Sequence, residues 1–131
     1  MDLNGWCLQL PACFSFVRLS ADPVAWNRVR PIALALIRQD NELLVGRHDA
    51  DGSVFYRPLG GGIKVGEYAE EAVAREIQEE LGQALDPIAR RGVLENIFTI
   101  RGEQGHEIVF VVEAAFADEA AYQQEAFVAE E

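Results

Sequence analysis

Residues 60–82 read GGGIKVGEYAEEAVAREIQEELG, three glycines followed by an Ala- and Glu-rich stretch that ends in glycine. The spacing predicts a helix from Tyr68 to Leu81. Val73, Ile77 and Leu81 recur every four residues with Ala74 beside them, a stripe suited to packing on a sheet. Glu76, Glu79 and Glu80 stand at i, i+3 and i+4, so they cluster on an adjacent face. Gly82 can close the helix in the left-handed conformation. Ahead of the helix, Gly60, Gly61 and Gly62 predict a loop in which backbone can come close to a ligand.

The acidic face has two readings. Like-charge pairs such as Glu76 and Glu80 cost a helix roughly 0.2–0.5 kcal/mol. Arg75, four residues from both Glu71 and Glu79, offsets part of this, and Glu70 and Glu71 favour the positive end of the helix dipole. A solvated acidic surface accounts for that much. Clustered carboxylates are also what a hard cation needs, since Mg²⁺ takes oxygen ligands and shares its shell with substrate phosphates. The glycine loop favours the second reading, because a loop entering a helix presents free N–H groups to anions. A tight turn explains one glycine there better than three.

Outward from this stretch, strands dominate. Ile32 to Ile37 is a continuous apolar run suited to a buried strand. Asp40-Asn41 predicts a turn, Glu42 to Val45 a second strand, His48 to Gly52 a polar loop, and Val54 to Tyr56 a short strand. Ile88 to Ile100 contains one or two strands, Ile108 to Phe116 another buried one, and the tail from Asp118 is read as helical. The pattern is α/β, built on a mixed sheet. Residues 1–28 form an irregular N-terminal arm, broken by Asn4-Gly5, Pro11 and Asp22-Pro23, with Phe14, Phe16 and Val17 as a short strand candidate. Residues 29–131 form the domain proper.

At 131 residues, half of them hydrophobic, the chain has the size and composition of one folded domain. No apolar run approaches the roughly 18 residues that span a bilayer. The N-terminus is a poor secretory signal, so the expected location is cytoplasmic. Cys7 and Cys13 then read as reduced thiols, with no zinc partners beside them. A net charge of −11 argues against holding duplex nucleic acid on a basic face. It leaves room for a phosphate substrate bridged to the protein by a divalent cation.

The residues from Gly61 to Gly82 resemble the Nudix box, G-x5-E-x7-R-E-U-x-E-E-x-G-U, in which U is a bulky aliphatic residue. Gly61, Glu67, Arg75, Glu76, Ile77, Glu79, Glu80 and Gly82 match in order and spacing. Gln83 departs, standing where an aliphatic residue is usual. The resemblance extends over roughly residues 29–117 and implies an α/β/α sandwich around a mixed sheet. Nudix domains continue past the position of Glu131 into a strand and a closing helix, so it also implies that the C-terminal helix is missing or truncated. It implies Mg²⁺, with Mn²⁺ as a substitute, held by Glu76, Glu79 and Glu80, and Arg75 orienting one of these carboxylates. Gly61 shapes the loop, and Glu67 and Gly82 support the box. The implied activity is hydrolysis of the diphosphate bond of a nucleoside diphosphate derivative, with homodimers common in the family.

Outside the box the sequence offers further candidates. A metal-binding glutamate (Glu79 or Glu80) can take the proton of the attacking water, and His106 or Glu107 can reach the site as base or substrate contact. His106 and Glu107 can equally be a polar pair at a loop end. Gly62, Arg47, Arg57 and Lys64 can contact phosphates, or be ordinary surface groups. Phe55 or Tyr56 can stack on a base, although core packing is the commoner role. Two other functions stay open: a non-catalytic nucleotide-binding module on the same fold, and an acidic module that docks a basic protein.

Overall fold

The computed structural model describes residues 28–50 and 52–127. The N-terminal arm apart from Arg28, including Cys7, Cys13 and the strand candidate at Phe14 to Val17, lies outside the described residues. Strand β1 spans Arg30–Gln39 and turns at Asp40, where φ is 53°, into the two-residue β2, Glu42–Leu43. Next come β3, Val45–Ala50, and β4, Ser53–Pro58, which pair only with each other. Then follow β5, Gly60–Gly62; helix α1, Ala69–Leu81; β6, Leu85–Ile100; and β7, Glu103–Phe116. A 3-10 helix at Glu119–Gln123 is the last element, its first turn capped by Asp118, which accepts the Ala120 N–H at 2.9 Å.

The main sheet runs β2-β1-β7-β6, with β5 also on β1. Strands β1 and β7 are parallel and the other pairs antiparallel, so the sheet is mixed. The continuous apolar run of β1 and the largely apolar β7, interrupted by Glu113, are this central parallel pair. One face packs on α1. Ala33, Ala35 and Ile37 of β1, with Val112, Ala114 and Phe116 of β7, meet Ala69, Ala72, Val73 and Ile77 of the helix. The alanines let helix and sheet approach closely, and Ile77 and Val73 are fully buried. Arg90 of β6 ties down the start of α1 through two hydrogen bonds to Glu70, at 3.0 and 2.8 Å.

The opposite face carries Ile32, Leu34 and Leu36 with Glu107, Val109, Val111 and Glu113, by strand alternation. Glu113 there sits between the guanidinium groups of Arg38 and Arg91. Among the described residues α1 is the one α-helix, and no helix is long and apolar enough to cross a membrane. The architecture is therefore a mixed sheet with a helix on one face.

Several elements differ from the sequence reading. The strand expected at Glu42 to Val45 is interrupted at Leu44, whose N–H bonds to Ile37 O at 2.9 Å while its side chain joins the core. The polar loop expected at His48 to Gly52 is mostly strand: His48 and Asp49 pair with Phe55 and Val54. A two-stranded hairpin with one exposed face and one only half-buried, and with Arg47, His48 and Asp49 in its first strand, carries no hydrophobic alternation by which to announce itself. The Gly60–Gly62 loop is also a strand, registered on Leu34 to Ile32. A Cβ at Gly60 would lie 2.0 Å from the Ala33 carbonyl oxygen, so this approach excludes side chains. Strand β6 is continuous through Pro87 because it lies at the sheet edge and shifts register there and again near Gly92. Among the described residues of the tail, the expected helix is a short 3-10 helix at Glu119–Gln123.

Candidate functional site

The site begins where β5 hands over to α1. Between them the backbone folds back at residues 63–68. The Lys64 N–H donates to Glu67 Oε2 at 2.9 Å, and the Glu67 N–H donates to Lys64 O at 3.1 Å. At the helix start Glu71 accepts the Tyr68 N–H at 2.8 Å, and at its end Gly82, with φ 65°, returns its N–H to Gln78 O at 3.0 Å. Gln83, in the place of the usual aliphatic residue, is half-buried, and the first buried aliphatic after the helix is Leu85.

Arg75 joins loop to helix. Its Nε donates to Glu67 Oε1 at 2.7 Å and its Nη2 to Glu67 Oε2 at 3.1 Å, a two-pronged pair. Nη2 also donates to Gly62 O at 2.9 Å, and Nη1 to Glu76 Oε1 at 2.8 Å and Glu79 Oε2 at 3.3 Å. One guanidinium thus holds three carboxylates and the carbonyl at the end of β5. The hydrogen bonds from Arg75, followed by that from the Lys64 N–H, pull the Glu67 carboxyl down to about 2. The same pairs raise Arg75 above its ordinary value.

Gly61 and Glu76 are in direct contact. A Cβ at Gly61 would lie 2.5 Å from both Cδ and Oε1 of Glu76. Only a glycine lets that carboxylate rest against the loop backbone. Glu80 enters by charge: burial raises its carboxyl first, Glu76 and then Glu79 raise it further, and Arg57 of β4 opposes them. The result is a crowd of hard oxygen donors on one helix face beside a bare backbone strand. Among the described residues no three acidic, histidine or cysteine side chains already close around a single point, and Arg75 holds oxygens of Glu67, Glu76 and Glu79. The donor set and the glycine cradle fit a divalent cation once those carboxylates turn toward it.

The other sequence candidates are spread more widely. Arg57 and Phe55 share one face of the β3–β4 hairpin, and Arg47, opposite Tyr56, takes the other. Phe55 and Tyr56 are both exposed, so neither is core. His106 has a buried Nε2 without a hydrogen-bond partner. Glu107 stands on the sheet face away from α1, and with Phe55 and Arg57 it lines a cleft of about 520 Å³ between β4 and the β6–β7 hairpin. The cleft also draws on Asn96 and Phe98, which sequence reasoning passed over. They reach it through strand pairing, Asn96 with Glu107 and Phe98 with Gly105, and no local pattern in β6 marks them out.

The sequence profile of the NUDIX domain matches residues 27–130. The chain belongs to the NUDIX family. Among solved structures it is similar to a MutT NUDIX hydrolase from Burkholderia pseudomallei, 32% identical with a TM-score of 0.55, covering 70% of this chain and 71% of that one. A NUDIX hydrolase from Nitrosomonas europaea shares the fold, with a TM-score of 0.58 over 70% of this chain and 61% of the other at 21% identity. Among curated proteins, the NAD-capped RNA hydrolase NudC of Vibrio atlanticus is 36% identical over 57 residues, which are 44% of this chain and 21% of that protein. NudC of Edwardsiella ictaluri is 40% identical over 55 residues, 42% of this chain and 21% of the relative. The matched NUDIX segment is thus about a fifth of these relatives' length.

Proposed function

We propose that this NUDIX chain is a pyrophosphohydrolase that uses Mg²⁺, or Mn²⁺ in its place, to cut the diphosphate bond of a nucleoside diphosphate derivative. The observation that carries the reading is the contact between Glu76 and Gly61, with Arg75 bridging Glu67, Glu76 and Glu79. A solvated acidic face needs neither a side-chain-free backbone under one carboxylate nor a guanidinium shared among three. Glu76, Glu79 and Glu80 would hold the cation. When bound, it neutralises phosphate oxygens and lowers the pKa of water. Arg75 fixes the directions of Glu76 and Glu79, and Glu67 anchors Arg75 to the loop. Glu79, the most exposed of the three at 55% of its side chain, is open to solvent and suits proton acceptance from an attacking water. Arg57, whose charge favours the ionised form of Glu80, supplies positive charge for an anionic substrate. The NudC relatives act on NAD-capped RNA. Dinucleotides joined through a diphosphate therefore belong in any substrate panel, with a cytoplasmic setting and a homodimer as accompanying expectations.

The test is release of phosphorylated products from a panel of nucleoside diphosphate derivatives, with and without Mg²⁺, for wild type and Glu79→Gln. The expected result is Mg²⁺-dependent turnover that falls by about 100-fold or more in the variant. A folded wild type that binds nucleotides but turns over none of the panel would instead make the chain a binding module.

A further inference from the structure

The cleft between β4 and the β6–β7 hairpin has aromatic walls. Phe55 is 39% exposed and is backed by His48, whose ring stacks on it at 5.2 Å and 17°. Phe98 lies over Gly105 on the paired strand, where a Cβ would come within 2.3 Å of the ring. A glycine at 105 is thus needed for Phe98 to stand where it does. Flat rings with an exposed face stack on nucleobases irrespective of base identity.

The cleft also holds an underused acceptor. The Glu107 side chain is only 7% exposed. Among the described residues, its carboxylate receives one long hydrogen bond, from Asn96 Nδ2 at 3.5 Å, and faces the Arg30 guanidinium at 3.9 Å. An ionised carboxylate accepts about four hydrogen bonds, and burial makes unfilled ones costly. Arg57 lines the same cleft and brings a positive charge to it, as an anionic sugar phosphate requires. The cleft's volume of about 520 Å³ suits a base with its sugar.

We infer that this cleft is the base subsite and that Glu107 is its specificity residue, selecting guanine. The assignment of the base to a diphosphate substrate rests on the hydrolase reading above. Two carboxylate oxygens side by side match two parallel N–H donors. Guanine presents such a pair, its ring N1–H beside its N2 amino group. In adenine and cytosine the amino group neighbours an acceptor nitrogen, and in uracil the ring N–H is flanked by two carbonyls, which a carboxylate repels. The sequence leaves Glu107 open as proton acceptor or substrate contact, and the aromatic walls around it favour contact.

The experiment is calorimetric binding of GMP, IMP, AMP, UMP and nicotinamide mononucleotide to the full chain in EDTA, for wild type, Glu107→Gln and Phe98→Ala. GMP is expected to bind tightest. IMP, which lacks only the N2 amino group, should bind about tenfold or more weakly. Glu107→Gln should weaken GMP by a similar factor and leave UMP within about twofold, and Phe98→Ala should weaken every ligand. Equal binding of GMP and IMP to wild type overturns the inference without recourse to any variant, so a Glu107→Gln protein that fails to fold does not shield it. Unchanged GMP binding by a folded Glu107→Gln also overturns it, as does a variant that binds normally yet loses turnover equally on all bases, the mark of a proton acceptor. The subsite and the hydrolase reading fail separately. Guanine-selective binding without Mg²⁺-dependent turnover keeps the first and removes the second, and turnover without base selectivity does the reverse.

Discussion

Replacing Gly61 by alanine separates a catalytic role of the glutamate cluster from a merely structural one. The added Cβ would sit 2.5 Å from Cδ and Oε1 of Glu76 and 2.8 Å from Oε2, against ordinary contacts of about 3.5–4.0 Å. The carboxylate must therefore retreat by about 1 Å, losing the 2.8 Å bond from Arg75 Nη1 on the way. It sits at the end of a flexible, half-buried side chain that can turn outward to water, so the retreat costs the fold about 1–3 kcal/mol, the worth of one hydrogen bond to a charged group. A shift of that size at a catalytic group costs about 100-fold in rate. Gly61→Ala should then remain folded, with a lowered unfolding temperature, while losing about two orders of magnitude in kcat/KM and most of its Mn²⁺ affinity. Thermal unfolding by circular dichroism, steady-state kinetics and Mn²⁺ titration followed by electron paramagnetic resonance read the three quantities. A variant that binds Mn²⁺ and turns over as wild type does would refute the claim that Glu76 works from the place Gly61 leaves for it. A variant that unfolds would show that the loop, and not the carboxylate, is what the glycine protects.

Other outcomes follow from the same geometry. Ile77→Ala empties a fully buried position between α1 and the sheet and should cost about 2–5 kcal/mol in urea unfolding; a loss under about 1 kcal/mol would mean that the helix is not seated as described. Arg75→Gln leaves Glu67, Glu76 and Glu79 facing one another without a cation, so it should lower the unfolding midpoint more than Arg75→Lys does, with added Mg²⁺ restoring part of the loss. The Glu67 carboxyl lies at about 2 in the folded protein, below its ordinary 4.5. Its contribution to stability is therefore complete above about 4.5 and lost as pH falls toward about 2. Glu67→Gln should be less stable than wild type at neutral pH and show a flatter acid limb across that window, and parallel acid limbs for the two proteins would contradict the pairing.

Strong local periodicity made much of this protein legible in its sequence. The apolar run at Ile32 to Ile37 and the largely apolar stretch from Ile108 to Phe116 mark strands because such density of apolar residues fits burial on both faces of a sheet, and they are the central parallel pair. Helix α1 and its left-handed stop at Gly82 follow from residue spacing and from the conformational freedom of glycine. So does the clustering of Glu76, Glu79 and Glu80, since a helix brings i, i+3 and i+4 together wherever it is placed. Tertiary structure alone decided what these groups touch. Arg75 reaches back to Glu67 and to the Gly62 carbonyl because residues 63–68 reverse direction. Gly60 and Gly61 form a strand because β1 has a free edge there, a long-range pairing that no local window contains. Glu107, Asn96, Phe98 and Phe55 line one cleft because of strand register, and a one-residue slip in β6 or β7 would turn them to the other face. A sequence carries the periods of its own elements, whereas the meeting of elements distant along the chain is decided when the sheet pairs and the helix packs on it.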